Sequence, residues 1–242
     1  MWFWNKKKQQ KLADFSTLGV DIHSHLIPGI DDGSPTIDDS INMMFRFAEL
    51  GYRKLITTPH VMSDFFRNDT PTIKAGLNTL RRNIETNNVP ITIEAAAEYY
   101  IDFDFRNKIG KVPFLTFGKC NILVEVSFLN PPELLSEILF ELQTEHYHPV
   151  LAHPERYSYW FSNFGMYEQL FDRGIKLQLN INSLTGAYGA DVQKTAYKII
   201  DAGMYSFAGS DCHRIQHLDL MSNVLSNKHF EKLVASGLLL NS

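Results

Sequence analysis

Seven short runs of β-branched and aliphatic residues recur along the chain, each followed by a longer stretch with helical spacing, and this alternation constrains the fold more than any other feature. The runs are Gly19–His23, Lys54–Thr58, Ile91–Ala97, Asn121–Val126, Pro149–Ala152, Lys176–Ile181 and Tyr205–Ala208. Most are apolar throughout, as strands covered on both faces must be. Between them, Asp38–Leu50 puts Ile41, Met44, Phe45 and Ala48 on one helical face and stops at Gly51. Pro131–Tyr147 opens with prolines, which a first helical turn tolerates, and carries Leu134, Leu135, Ile138 and Leu142. Further helices are expected at Thr72–Thr86, Gly165–Arg173, Asp191–Ala202, Leu218–Leu225 and Lys228–Ser236. Such alternation over 242 residues predicts a parallel α/β fold, and periodicity leaves barrel and doubly wound sheet both open. No Pro/Ser-rich linker, fixed-period repeat or low-complexity tract divides the chain, so one domain is expected.

The chemistry-bearing residues fall at the C-terminal ends of these runs. The first ends in His23-Ser24-His25, the second in Pro59-His60, and the third runs into Glu98. The fifth ends in His153-Pro154-Glu155-Arg156 and the seventh in Ser210-Asp211-Cys212-His213-Arg214. A parallel barrel gathers those ends on one rim, where such folds carry their sites. Residues two apart on a strand share a face, so His23 with His25, and Asp211 with His213, can turn towards one ion. A lone His-x-His pair is weak, but several independent strand ends delivering imidazole or carboxylate to one rim are hard to reconcile with chance. Adding Asp32 from the loop Gly29-Ile30-Asp31-Asp32-Gly33 gives the candidate ligands His23, His25, Asp32, His60, Glu98, His153, Asp211 and His213. A catalytic zinc usually takes three protein ligands, so this set implies two or three divalent cations. Imidazole and carboxylate without thiolate suit Mn²⁺, Fe²⁺ or Zn²⁺ better than Ca²⁺ or Cu⁺.

Composition agrees. There are nine histidines against two cysteines, Cys120 and Cys212, which cannot build a disulfide framework or a Cys-rich zinc site and fit a reducing, cytoplasmic setting. A formal net charge of −4 with both signs interspersed argues against a broad electrostatic grip on nucleic acid. No apolar run is long enough to span a bilayer, and no secretory signal is expected. The opening Met1-Trp2-Phe3-Trp4-Asn5-Lys6-Lys7-Lys8 joins aromatics to a basic triplet, which is compatible with a peripheral contact at the inner membrane face but is expected to be a frayed or locally packed terminus.

These residues, in this order, resemble the PHP (polymerase and histidinol phosphatase) superfamily. Within it, Asp21-Ile22-His23-Ser24-His25, Pro28-Gly29-Ile30-Asp31-Asp32-Gly33, Thr57-Thr58-Pro59-His60, Ala152-His153-Pro154-Glu155-Arg156 and Gly209-Ser210-Asp211-Cys212-His213 are similar to the metal-dependent bacterial protein tyrosine phosphatases of capsule and exopolysaccharide operons. The similarity runs from about Gly19 onward, which makes residues 1–18 an N-terminal extension and 19–242 a PHP-type phosphatase domain. The resemblance implies a distorted seven-stranded (β/α)7 TIM-like barrel with a trinuclear centre, Mn²⁺ first and Fe²⁺, Zn²⁺ or Mg²⁺ as alternatives. It implies the eight residues above as its ligands, with Glu98 bridging. It also implies a tyrosine-phosphorylated protein as substrate, namely a bacterial tyrosine autokinase governing polysaccharide export. This sequence departs from the pattern in having Cys212 at a usually small position, alanines before Glu98 where relatives carry Gly-Gln, an added N-terminal stretch and no long basic tail.

Phosphomonoester hydrolysis needs a nucleophile, neutralisation of the phosphoryl oxygens and help for the leaving group. A metal-activated hydroxide would attack phosphorus in line. Arg156, and after it Arg214, offer guanidinium forks for the phosphate. Phenolate leaves readily, so a dedicated acid is dispensable. Cysteine-based chemistry is excluded, because it needs an arginine about six residues beyond the thiolate, and Val126 and Leu218 stand there. Cys212, between two ligands, should turn away and pack. Phe65, Phe66, Arg67, Tyr99, Tyr100, Tyr157, Tyr159, Trp160 and Phe161 are candidates for a cleft around a phosphotyrosine ring. His146, His148, His217 and His229 receive no role. The alternatives are a histidinol-phosphatase-type phosphomonoesterase, a phosphodiesterase, and a non-enzymatic scaffold that binds metal or a kinase tail.

Overall fold

The computed structural model describes residues 12–241. The aromatic and basic segment at the start of the chain lies outside the described residues. The elements in chain order are β1 (Val20–Asp21), α1 (Ile37–Glu49), β2 (Lys54–Thr57), β3 (His60–Val61), α2 (Thr70–Thr86), β4 (Thr92–Ala95), β5 (Glu98–Tyr100), α3 (Phe103–Lys108), β6 (Asn121–Glu125), α4 (Leu135–Thr144), β7 (His148–Ala152), α5 (Gly165–Asp172), β8 (Lys176–Asn180), α6 (Ala190–Asp201), β9 (Tyr205–Gly209), α7 (Ile215–Met221) and α8 (Lys228–Ala235). Helix starts follow their capping chemistry. The Thr36 hydroxyl accepts from the Asp39 amide ahead of α1, and Asp69 accepts from the Thr72 amide ahead of α2, where Pro71 sits in the first turn. In α4 the Pro131-Pro132 pair stays outside and the helix begins only at Leu135, because the residue before a proline is pushed out of helical geometry.

All strand pairs are parallel, in a three-stranded sheet of order β1-β2-β4 and a six-stranded sheet of order β3-β5-β6-β7-β8-β9. Among the described residues strand pairing does not close the expected seven-stranded ring. Two of the expected strands, Lys54–Thr58 and Ile91–Ala97, are each followed at once by a further short strand outside the expected set. Pro59, with no N–H to donate, ends β2, and the chain resumes as β3; Ala96-Ala97 likewise separates β4 from β5. Each resumed strand pairs in the other sheet. The outer edges β1 and β9 approach at an isolated parallel bridge, Ser24 with Cys212. There Asp211 N–H donates to His23 O at 2.8 Å and His25 N–H donates to Cys212 O at 2.9 Å. Below this bridge the Asn241 side chain donates to Val20 O and Ala208 O and accepts from the Ala208 amide.

The sheets separate two apolar clusters. The larger lies between strands and helices and takes in Leu55, Ile122, Val124, Leu151 and Ala208, together with Phe15 and Leu18 from ahead of β1. The smaller, on the opposite face, consists of Ile22, Ile56, Ala96, Phe117, Leu123, Val150, Ala152 and Phe207. By the two-residue strand period Glu98 follows Ala96 and Glu125 follows Leu123 on this second face. An apolar plug therefore floors one end of that face, and polar side chains occupy the C-terminal end.

Candidate metal centre

The structure brings His23, His25, Asp32, His60, Glu98, His153, Asp211 and His213 together at that C-terminal end, in overlapping groups whose donor atoms lie within 4.8 Å of one another. Glu98 is the hub. Its Oε2 lies 3.2 Å from His23 Nε2, 3.4 Å from His25 Nε2 and 3.2 Å from His60 Nδ1, and its Oε1 lies 3.3 Å from His153 Nε2. Asp211 Oδ1 faces His23 and His25 at 3.4 and 3.5 Å. Asp32 Oδ1 faces His60 at 3.6 Å and His213 at 3.4 Å, on the more open side.

Backbone geometry sets these directions. His153 and Asp211 carry φ of 33° and 50°, a left-handed conformation that His and Asp enter more readily than most residues but that still costs about 1–3 kcal/mol. Both sit where a strand ends, and the reversal aims the side chain across the rim. Gly33 lets the Asp31-Asp32 loop press on His25, since a Cβ there would fall 2.3 Å from His25 O. Gly209 does the same beside His23, where a Cβ would lie 2.7 Å from His23 Cβ.

Ring orientation is fixed from behind. His23 Nδ1–H donates to Gln178 Oε1 at 2.8 Å and His25 Nδ1–H donates to Asp31 Oδ2 at 2.8 Å. Asp31 also accepts from the His60 and Gly33 amides. These bonds leave the Nε2 atoms of His23 and His25 facing each other at 3.4 Å. As neutral imidazoles they would aim two lone pairs at each other and at two carboxylates, an arrangement that only protons or a cation can reconcile. Both Glu98 oxygens, His60 Nδ1 and His153 Nδ1 are buried with no hydrogen-bond partner. A buried carboxylate left in that condition costs several kcal/mol. The donor set therefore fits divalent cations on an observation independent of any motif.

Protonation follows from the same neighbours. Burial would raise Glu98, but the His23 and His60 charges overcome it and hold the carboxyl well below its usual range. Asp211 is lowered in the same way by His23 and His25. Burial pulls His23 and His25 down, yet Glu98 and Asp211 lift the first, and Asp31, Asp211 and Glu98 lift the second, above the ordinary imidazole range. His153 falls to about 4 through burial and the nearby Arg156 charge. Asp32 drops to about 2, chiefly through its bond with His213.

Glu125, the last residue of β6, belongs to this cluster and was not among the residues expected from sequence. Its carboxylate lies 3.4 Å from His153 Nε2 and 4.0 Å from His60 Nδ1. Burial, then the Glu98 and Asp211 charges, push its pKa well up. The available signal was a single acid closing the otherwise apolar run Ile122-Leu123-Val124.

The cluster lines a cavity of about 840 Å³ that also exposes Arg156, Arg214, Phe66, Tyr100, Phe128 and Tyr188. Arg156 Nη1 donates to Asp211 Oδ2 at 2.8 Å, and its guanidinium carbon lies 4.9 Å from the Phe128 ring centroid and 4.4 Å from that of Tyr188. Arg214 Nε–H donates to His217 Nε2 at 3.1 Å, and the His217 Nδ1–H points to Asp211 O at 3.3 Å. His217, given no role from sequence, thus joins the second arginine to the cluster. Of the expected aromatic cleft, Phe66 stacks on His60 and Tyr100 lines the cavity. Tyr99, Tyr157 and Trp160 are instead buried, their rings packed in the large core. Cys212 is buried with Sγ 3.6 Å from Met43 Sδ, a packed thiol.

Parallel strands with covering helices, and histidines and carboxylates converging at the strand C-termini beside two arginines, define a parallel α/β protein with a cluster of candidate metal ligands at the base of a cavity. The chain belongs to the family described as capsular polysaccharide synthesis, CpsB/CapC, whose model matches residues 19–235. It is 27% identical over 198 residues to the tyrosine-protein phosphatase YwqE of Bacillus subtilis, covering 81% of this chain and 78% of that protein. To the tyrosine-protein phosphatase CpsB of Streptococcus pneumoniae it is 26% identical over 208 residues, covering 81% and 83%. A crystal structure from work on B. subtilis YwqE and S. pneumoniae CpsB, described as metal-dependent tyrosine phosphatases, superposes with a TM-score of 0.81 at 26% identity, covering 89% of this chain and 90% of that one. Histidinol phosphate phosphatase of Lactococcus lactis shares the fold at a TM-score of 0.52 and 15% identity, over 87% of this chain and 93% of that one.

Proposed function

We propose that this protein is a metal-dependent phosphatase that hydrolyses phosphotyrosine on a protein substrate. One observation carries the reading: a buried carboxylate, Glu98, ringed by four imidazoles and without hydrogen-bond partners, at the base of a cavity whose wall holds two arginines. Family membership and the tyrosine phosphatase relatives point the same way.

The proposed ligands are His23, His25, Asp32, His60, Glu98, His153, Asp211 and His213, joined by Glu125. The set suits two or three divalent ions, Mn²⁺ foremost, with Glu98 shared between them. Divalent cations held there would supply a deprotonated water at neutral pH and positive charge against the phosphoryl oxygens. Arg156 grips a phosphoryl oxygen with the face of its fork not engaged by Asp211, and the Phe128 and Tyr188 rings restrict it to that direction. Arg214 adds a second donor, steadied by His217. Phe66, Tyr100 and Phe128 form the apolar wall for the substrate ring. The phenolate leaving group is stable enough to depart without a dedicated acid.

The parallel sheets are proposed to be a broken form of the seven-stranded barrel. The Ser24–Cys212 bridge and the Asn241 bonds across the β1/β9 gap support this, as do the strand breaks at Pro59 and Ala96-Ala97. The substrate is proposed to be a tyrosine autokinase of capsule or exopolysaccharide export, met at the cytoplasmic side of the membrane; the family's assignment to capsular polysaccharide synthesis supports it. No helix among the described residues is long and apolar enough to cross a membrane.

The test is phosphate release from a phosphotyrosine peptide with Mn²⁺, repeated after chelation and with histidinol phosphate in parallel. Chelator-sensitive release favouring the peptide is expected. Release indifferent to chelator, or faster with histidinol phosphate, refutes the reading.

A further inference from the structure

The cavity over the metal centre does not end at the phosphate site. Met62 is shared between it and a second hollow of about 650 Å³ that lies between the β3–α2 connection and the start of α3. Val61, Asn68, Asp69 and Lys108 are in turn shared between that hollow and a third of about 370 Å³, walled by Tyr99, Val112, Pro113 and Phe114. The three hollows adjoin one another in a row, a trough that starts at Glu98. Its lining changes along the way. The middle stretch is polar, with Asp102 already bonded to the Ser63 amide and hydroxyl and capping α3 at Phe105. The far end is mainly apolar, and Val112 is 47% exposed there.

The trough's mouth carries unusual side chains. Phe103, the first residue of α3, is 81% exposed on the middle hollow, and Leu129, after β6, is 84% exposed on the first. Large apolar groups held in water beside successive hollows mark a surface that something covers. A free aryl phosphate is small enough to be held in the first hollow alone.

We infer that the trough takes the polypeptide on one side of the phosphotyrosine, and that its far end, at Val112, Pro113 and Phe114, is a pocket for an apolar side chain of the substrate. The inference rests on the phosphatase reading and sharpens it. The phosphorylated ring lies against Phe66 and Tyr100, the adjoining backbone crosses the polar middle stretch past Phe103, and one aliphatic or aromatic side chain drops beside Val112. Continuity with the candidate catalytic cavity selects this occupant over an unrelated partner. Along the middle stretch Asp64, Asp69, Asp102 and Asp104 outnumber Arg67 and Lys108, which disfavours an acidic segment there.

The experiment uses the Mn²⁺-loaded full chain and a panel of phosphotyrosine peptides in which one leucine is moved stepwise away from the phosphotyrosine in an otherwise alanine background, with para-nitrophenyl phosphate as the small substrate. One leucine position is expected to raise kcat/KM about tenfold, the size set by burying an aliphatic side chain. Val112→Asp should abolish that preference, and Phe103→Ser, which lies at the lip and outside the core, should weaken it. Both should leave para-nitrophenyl phosphate turnover within about twofold. Equal rates across the peptide panel with para-nitrophenyl phosphate turned over normally overturn the trough and leave the phosphatase reading standing. A preference that survives both substitutions also overturns it. No turnover of any substrate by the loaded enzyme refutes the phosphatase reading, and the trough with it.

Discussion

The centre has a deep wall and an open lip, and they behave differently. On the deep wall His23, His25, Glu98, His153 and Asp211 are buried, and each charge is set by the others because water cannot reach it. On the lip Asp32 is exposed, with His60 and His213 partly so. Lip residues can be hydrated when a cation leaves; on the deep wall it is His23 and His25, raised by their carboxylate neighbours, that exchange a cation for protons, whereas His153 is lowered.

The largest expected effect is on the deep wall. Glu98→Gln should remove the anion shared by four imidazoles, and metal content by elemental analysis should fall to background with activity, a loss beyond the roughly 10–100-fold typical of residues that only orient ligands. Asp32→Asn should lower affinity while retaining measurable metal. Equal losses for the two would break the distinction between wall and lip.

Next come the supports. Asp31→Asn weakens the bond that orients His25 and should cost about 10–100-fold in metal affinity by titration, with the fold intact by circular dichroism. Gly33→Ala forces a Cβ against His25 and should lower stability by about 1–3 kcal/mol, seen as a reduced Tm, as well as metal affinity. An unchanged affinity in both variants would show that the ring is held some other way.

Proton exchange is a finer test. Neighbouring carboxylates raise His23 and His25, and burial raises Glu125, so these groups hold protons to higher pH than free imidazole or carboxyl groups do, and a cation must displace them. Metal affinity should then rise with pH, and binding should release protons, measurable by calorimetry in buffers of different ionisation heat. Asp32 at about 2 and His153 at about 4 are already deprotonated and should contribute none. Binding without proton release would contradict the picture of the deep wall.

The smallest effect is expected at His217. His217→Phe frees Arg214 and leaves every proposed ligand side chain in place, giving up only the contact with the Asp211 backbone carbonyl, so KM for an aryl phosphate should rise a few-fold with metal content largely kept. A fall in metal content would instead assign His217 to the cation cluster.

The strand-end histidines were legible in the sequence because each ends an apolar run, and position along a parallel strand translates directly into position on a rim. Glu125 was hidden by the same rule: inside Asn121–Val126 it reads as part of a buried strand, and only its register with Leu123 turns it towards His153. Asp31 and Asp32 are adjacent and chemically identical, so only three-dimensional contacts separate the residue that orients His25 from the one that faces His60 and His213. The strand breaks were half legible. Pro59 announces one, whereas Ala96-Ala97 has ordinary strand composition and is divided by pairing with different neighbours. Helix α3 is too short to show periodicity, and its one local mark is the cap at Asp102. Buried and cleft aromatics cannot be told apart by composition, which is why Tyr99 and Tyr100 fall on opposite sides of that division.

The seam between β1 and β9 has a consequence in time. His23 and its neighbours leave the ribosome early, whereas Ser210, which bonds Asp21 across 189 residues, and Asn241, which bonds Val20 across 221, are made late. Such distant pairings close slowly, since loop entropy must be met before contacts compensate it. During synthesis the first histidines must wait, unpaired with Asp211, while most of the sheet forms without them. A cation held by His23 and His25 together with Asp211 could be captured only after that late seam has closed.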